Sequence, residues 1–105
     1  MRIVEIDRFG GPEVLELRDR PDLEPPDDGY VVAVMAAGLN FADIVERRGR
    51  YKKDQPLPGL LGKEAAGIVI ARGPSASGFE LGDPVIVVRF SNGCYAEQVA
   101  ARPHA

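Results

Sequence analysis

Twelve glycines and nine prolines are spread evenly along these 105 residues, and that spacing limits the chain to short elements. The intervening segments have strand-like content. Arg2 to Ile6 alternates polar and apolar residues, Phe9-Gly10-Gly11-Pro12 turns, and Val14 to Arg18 alternates again, which predicts an antiparallel pair. Pro21 to Gly29 is an acidic, proline-rich crossing, and Tyr30 to Ala36 is expected to be a buried strand. Further strands are expected over Gly67–Arg72, Pro84–Phe90 and Tyr95–Ala100, the last following a turn at Ser91-Asn92-Gly93. Pro84 has no N–H to give a sheet and belongs at a strand start or an edge. Many short strands, frequent turns and little helix argue for an all-β barrel or sandwich.

One stretch breaks the pattern. Asn40 has the chemistry of a helix N-cap, Asp43 stands at N3 as a weak capping box, and Phe41, Ile44 and Val45 form an apolar face at helical spacing. Arg47 and Arg48 suit the negative end of the helix dipole and Gly49 is the expected C′ residue, so residues 41–48 are predicted to be a short helix. The Asn40 carboxamide and the Tyr51 phenol bracket it, and both are able to donate a hydrogen bond to a carbonyl oxygen. Equally, Asn40 could serve only as a cap and Tyr51 only as packing. Tyr51 to Leu61, with little periodicity, is expected to be an extended surface loop of the kind on which ligand contacts concentrate.

At 105 residues the chain is one domain, able to bury roughly 65% of its extended surface. Its composition, 45% apolar and 28% charged with net charge −3, is ordinary for a soluble protein. No run approaches the roughly 18 apolar residues of a membrane span, and the acidic N-terminal stretch lacks the apolar centre of a signal peptide, so a cytoplasmic protein is expected. The single Cys94 excludes an intramolecular disulfide and a Cys-rich zinc site; it reads as a buried small hydrophobe. The only histidine is His104. Nucleic-acid binding is disfavoured by the negative net charge and the lack of extended aromatic–basic alternation.

The runs Ala37-Gly38-Leu39-Asn40-Phe41-Ala42-Asp43 and Arg48-Gly49-Arg50-Tyr51 resemble the quinone oxidoreductase branch of the medium-chain dehydrogenase/reductase superfamily, nearest to its zeta-crystallin and synaptic-vesicle amine-transport-protein subgroups. Gly62-x-Glu64-x-x-Gly67, the glycine series through Gly73, Gly78 and Gly82, and the opening Phe9 to Leu15 extend the likeness over essentially the whole chain. The resemblance implies a GroES-like, partly open barrel, mainly β with the one short helix at about 41–48. It also implies a Rossmann nucleotide-binding domain, for which residues 1–105 hold no G-x-G-x-x-G between strand and helix. That domain would lie outside these residues or come from another chain.

The resemblance further implies reduction of a quinone or enone by hydride from NADPH. Asn40 and Tyr51 would donate to the acceptor oxygen, Asp43 and Glu64 would position neighbours, and Asn40 and Glu64 would stand on the cofactor side. Zinc-dependent relatives carry a Cys and a His where this chain has Asn40 and Lys63, so no zinc is expected. In those relatives the acid at the place of Asp43 orients that His, so an Asp43–Lys63 ion pair is expected, with Lys63 lending a fixed positive charge to catalysis. Val45 replaces a frequent tyrosine, and Leu61, Arg72, Ala76 and Pro84 also depart from the usual pattern. Rival expectations are an enoyl-thioester reductase domain, with the same Asn-Phe-x-Asp helix start, or a non-catalytic binding module. Five cations within Arg47–Lys53 raise a membrane-associated version of the second, although such runs are more often solvated. The expected partners are a small-molecule quinone or enone, the Rossmann domain and a second copy in a homodimer.

Overall fold

The computed structural model describes residues 1–89 and 92–103, so the expectations at Phe90, Ser91 and His104 lie outside the described residues. Among the described residues seven strands form two antiparallel sheets, and one α-helix stands between the third and fourth strands in sequence. Strand β1 (Arg2–Ile6) pairs with β2 (Leu15–Asp19) in the predicted way, with Ile3 opposite Arg18 and Ile6 opposite Leu15. A 3-10 turn at Pro12–Val14 begins on its proline, where no N–H is missed. The other flank of β1 takes β4 (Gly59–Leu60), a two-residue strand inside the segment predicted to be a loop.

The second sheet has the order β6-β5-β3-β7, from β3 (Tyr30–Ala37), β5 (Glu64–Arg72), β6 (Pro84–Val88) and β7 (Gln98–Ala101). Pro84 opens β6, an edge strand, where its missing donor costs no ladder bond. The sheets do not close, which is the partly open, mainly β architecture expected. Among the described residues no helix is long and apolar enough to cross a membrane.

Burial follows the alternation where a strand has one face on the core. Val32, Ala65, Val87, Cys94 and Val99 form one cluster, Ile6, Val14 and Leu61 a second against Tyr95, and Tyr30, Val69 and Ala76 a third. Cys94 is fully buried, and burial pushes its thiol pKa up, consistent with a small core residue. Strand β3 departs from expectation: Tyr30, Val31 and Val32 are buried, but Met35, Ala36 and Ala37 are exposed, because its last residues run past β7, which pairs only with Tyr30 to Ala33. Strand β7 likewise starts at Gln98 rather than Tyr95. The preceding Ala96 bridges across to Ile3 of the other sheet.

The helix α1 (Phe41–Arg47) falls where predicted, but its buried face does not. Phe41 is 75% exposed, whereas Asp43 and Glu46 are buried, at 6% and 3%. Residues 43 and 46 share a face, and that face meets polar neighbours, so the helix packs by its acids with Ile44 and Val45 only partly buried. The end of α1 is a Schellman motif: Gly49 N–H reaches the Glu46 carbonyl at 2.9 Å and Arg50 N–H the Val45 carbonyl at 3.0 Å. Gly49 has φ +75°, and a Cβ there would sit 2.7 Å from the Phe9 ring. Replacing Gly49 by Ala therefore combines a left-handed backbone, costing about 1–2 kcal/mol, with a clash. Urea denaturation is expected to show a loss of at least that size, and a variant as stable as the parent would contradict the motif.

Candidate functional site

Three segments meet at one end of the fold. Strand β3 runs through Gly38 into α1; residues 61–63 lead into β5; and residues 92–95 return from β6. The backbone joins the last two closely, with Gly93 N–H to the Leu61 carbonyl at 3.1 Å, Cys94 N–H to Gly62 at 3.1 Å and Arg89 N–H to Lys63 at 2.6 Å. Gly38 N–H donates to the Glu64 carbonyl at 3.1 Å, which brings the approach to α1 beside the start of β5. The buried acids of α1 face this junction.

Asp43 is held by three neutral donors. Its Oδ2 accepts from Asn40 N–H at 2.9 Å, the capping-box bond, and from the Tyr95 hydroxyl at 2.6 Å, while Oδ1 accepts from Gly62 N–H at 3.1 Å. Burial, reinforced by the bond to Asp43, raises the Tyr95 phenol well above its ordinary range.

Lys63 is paired with Glu46, not with Asp43, which corrects the expected ion pair. Its Nζ lies 2.6 Å from Glu46 Oε1 and 3.0 Å from Asn92 Oδ1, and Asn92 Nδ2 donates to Glu46 Oε2 at 2.6 Å. The three side chains close a ring of hydrogen bonds, with the lysine and glutamate side chains only 10% and 5% exposed. The physical reason is saturation: three donors already hold Asp43, whereas Glu46, one turn further along the same face, has one oxygen on the neutral Asn92 amide and the other open to the ammonium. The Tyr51 ring covers the ammonium, its centroid 4.5 Å from Nζ. Behind Tyr51 the loop is folded back, with Tyr51 N–H on Gln55 Oε1 at 3.0 Å and Gln55 Nε2 on the Glu46 carbonyl at 3.1 Å.

The structure thus brings Asn40 and Asp43 into one cluster and Tyr51 and Lys63 into another, joined through α1 and the adjoining residues Gly62 and Lys63. Asn40 is partly buried and Tyr51 is 46% exposed. Glu64 is exposed, its carboxylate filling the space that a Cβ on Gly38 would need. Sequence reasoning missed Glu46, Asn92 and Tyr95. Glu46 carried a signal, standing three residues after Asp43 on one helical face; Asn92 and Tyr95 reach the site only through the tertiary fold. Among the described residues no group of three or more His, Cys, Asp and Glu side chains is arranged to hold a metal ion. A cavity of about 500 Å3 lies elsewhere, against Tyr30, Val69, Phe79 and Val85, and its apolar lining contains none of the predicted site residues.

Replacing Tyr95 by Phe removes one donor from a buried carboxylate and is expected to cost about 1.5–3 kcal/mol near neutral pH. A raised phenol pKa means that folding favours the protonated form. Its contribution is complete below about pH 10 and is lost as pH rises through the folded value. The stability gap between parent and Tyr95→Phe, measured by urea denaturation, should therefore narrow above pH 10. A gap that widened there would show that the hydroxyl does not donate to Asp43.

Residues 26–104 match the alcohol dehydrogenase GroES-like domain family. The chain is similar to human quinone oxidoreductase, 39% identical over 105 residues that cover 99% of this chain and 32% of that protein. It is also similar to the rat synaptic vesicle membrane protein VAT-1 homolog, 41% identical over 101 residues covering 94% of this chain and 25% of that one. Among solved structures, Escherichia coli quinone oxidoreductase complexed with NADPH shares the fold at a TM-score of 0.86 and 33% identity, over 94% of this chain and 30% of that one. The chain spans about a third or less of the length of these relatives. With the predicted motifs, the two open sheets and these likenesses in agreement, the chain belongs to the alcohol dehydrogenase GroES-like domain family, in the quinone oxidoreductase branch of the medium-chain dehydrogenase/reductase superfamily.

Proposed function

We propose that residues 1–105 are the substrate-side domain of a zinc-independent oxidoreductase that reduces quinones or enones with NADPH. The observation that carries this reading is the placement of two neutral donors, Asn40 and Tyr51, in front of side chains that are already satisfied. Asp43 is held by Asn40, Gly62 and Tyr95, and Lys63 by Glu46 and Asn92 with the Tyr51 ring over it. The groups left to meet a ligand are the Asn40 carboxamide and the half-exposed Tyr51 phenol.

Bound NADPH supplies the hydride in such a reaction, most of its binding coming from a nucleotide domain outside these residues. The residues here have three tasks: exclude water, orient the acceptor, and stabilise negative charge growing on its oxygen. Asn40 and Tyr51 donate to that oxygen, and Asp43 fixes the start of α1 and with it Asn40. Asn40 and Glu64 stand on the cofactor side, the exposed Glu64 carboxylate lying against Gly38 and the chain leading to Asn40. The donor set also supports zinc independence, because an amide at residue 40 and a paired ammonium at residue 63 are poor ligands beside thiolate and imidazole.

Two measurements test the reading. With a nucleotide-binding domain supplied in the same chain or separately, Asn40→Ala and Tyr51→Phe are each expected to lower kcat/KM for a quinone or enone by about tenfold to a hundredfold. Both variants at parental rates would remove the proposed donors, and faster turnover of crotonyl thioesters than of quinones would favour the enoyl-thioester reductase. Elemental analysis of protein purified without chelator or histidine tag is expected to find far less than one zinc per chain; a stoichiometric zinc would refute zinc independence.

A further inference from the structure

We propose that Glu46 is a positioning residue of this site: together with Asn92 it fixes the Lys63 ammonium, and the ammonium seats the Tyr51 ring. The inference rests on the reading of Tyr51 as a donor to the acceptor oxygen and adds the residues that hold it there.

An ammonium has three N–H donors. Glu46 takes one at 2.6 Å, Asn92 takes another at 3.0 Å, and the Tyr51 ring covers the charge at 4.5 Å. Two of its donors are thus committed and the Tyr51 ring lies over the ammonium, so the effect of Lys63 on catalysis passes through Tyr51. Glu46 is the element on which the arrangement turns. It bonds both other members of the ring, one through each carboxylate oxygen, and it is 3% exposed. Its place on a helix rather than a loop gives the cluster a rigid base. The Tyr51 loop is separately tethered through Gln55 to the Glu46 main-chain carbonyl. A change of side chain at residue 46 leaves that tether in place and frees only the ring.

A buried ion pair is weak evidence of a stabilising role, since apolar residues of similar volume often replace one without loss, whereas removing one partner strands a charge. This separates positioning from mere stability. In the parent protein, proton NMR is expected to show the Lys63 ε-methylene resonances moved upfield by the Tyr51 ring, with a cross-relaxation peak between them, both lost in Tyr51→Leu. In Glu46→Gln the charge stays but its anchor goes; the upfield shift is expected to fall by more than half and the peak to vanish. The double variant Glu46→Leu/Lys63→Met keeps the experiment decisive where a single variant fails to fold. Its urea midpoint is expected to return to near the parental value. Its kcat for quinone or enone, measured with the nucleotide-binding domain supplied, should stay about tenfold or more below parent.

An unchanged ring shift in Glu46→Gln, or a double variant with parental kcat, would overturn the proposal. If the shift depends on Glu46 as described while Tyr51→Phe keeps parental activity, the positioning of the ring stands and the reading of Tyr51 as a donor falls.

Discussion

Two carboxylates buried on one face of a seven-residue helix set the terms for this end of the molecule. A buried charge without partners costs several kcal/mol, and a helix this short does not persist by itself. α1 exists as a packed element because its neighbours satisfy both acids. They do so in different ways. Asp43 is held among neutral donors, one of them its own capping partner, whereas Glu46 is matched by a lysine and an asparagine from two distant segments.

The sheets supply those segments. Pairing of β3 with β5 brings the entry to α1 beside residues 61–64, and the bonds from residues 92–95 to Leu61 and Gly62 bring Asn92 and Tyr95 to the same place. Asn92 has φ +68°, a conformation that asparagine tolerates better than most residues, so the turn presents its carboxamide to Glu46 and Lys63 at once. At the far end of α1 the Phe9–Pro12 turn is bound in both directions, Gly10 N–H to the Arg47 carbonyl at 2.9 Å and Arg47 Nε to the Gly10 carbonyl at 3.1 Å. The helix is thus clamped at both ends by backbone contacts, and its polar face is fixed with it.

The chemistry of the site and the size of its cavities are separate matters. An apolar cavity lies against Tyr30, Phe79 and Val85, away from every donor discussed above, while the space beside Glu46, Gln55 and Asn92 at the polar junction is smaller. The proposed function rests on the residues placed at the junction and not on an apolar hollow. The five cations of the Arg47–Lys53 run also divide: Arg47 turns to the Gly10 carbonyl, and Arg48, Arg50, Lys52 and Lys53 remain exposed. The run is a solvated face with one structural member.

The sequence by itself determined the punctuation of the fold. Glycine and proline spacing marked the strands, the Asn40–Asp43 cap and Gly49 marked both ends of α1, and Pro84 marked an edge, because each acts through its own backbone geometry or that of residues a few places away. The same locality made Asn40, Asp43 and Tyr51 visible as candidates. Only the tertiary structure decided which acid Lys63 would meet, which face of α1 would be buried, and that β3 would emerge from the core after Val34. Hydrogen-bond satisfaction is a property of all groups that converge on a point, and Glu46, Lys63 and Asn92 come from three segments separated by 17 and 29 residues. Helical periodicity registered Phe41 as apolar but carried no information that polar partners for Asp43 and Glu46 would arrive from elsewhere. Once they did, burying the satisfied acids and leaving Phe41 in solvent was the arrangement with no stranded charge.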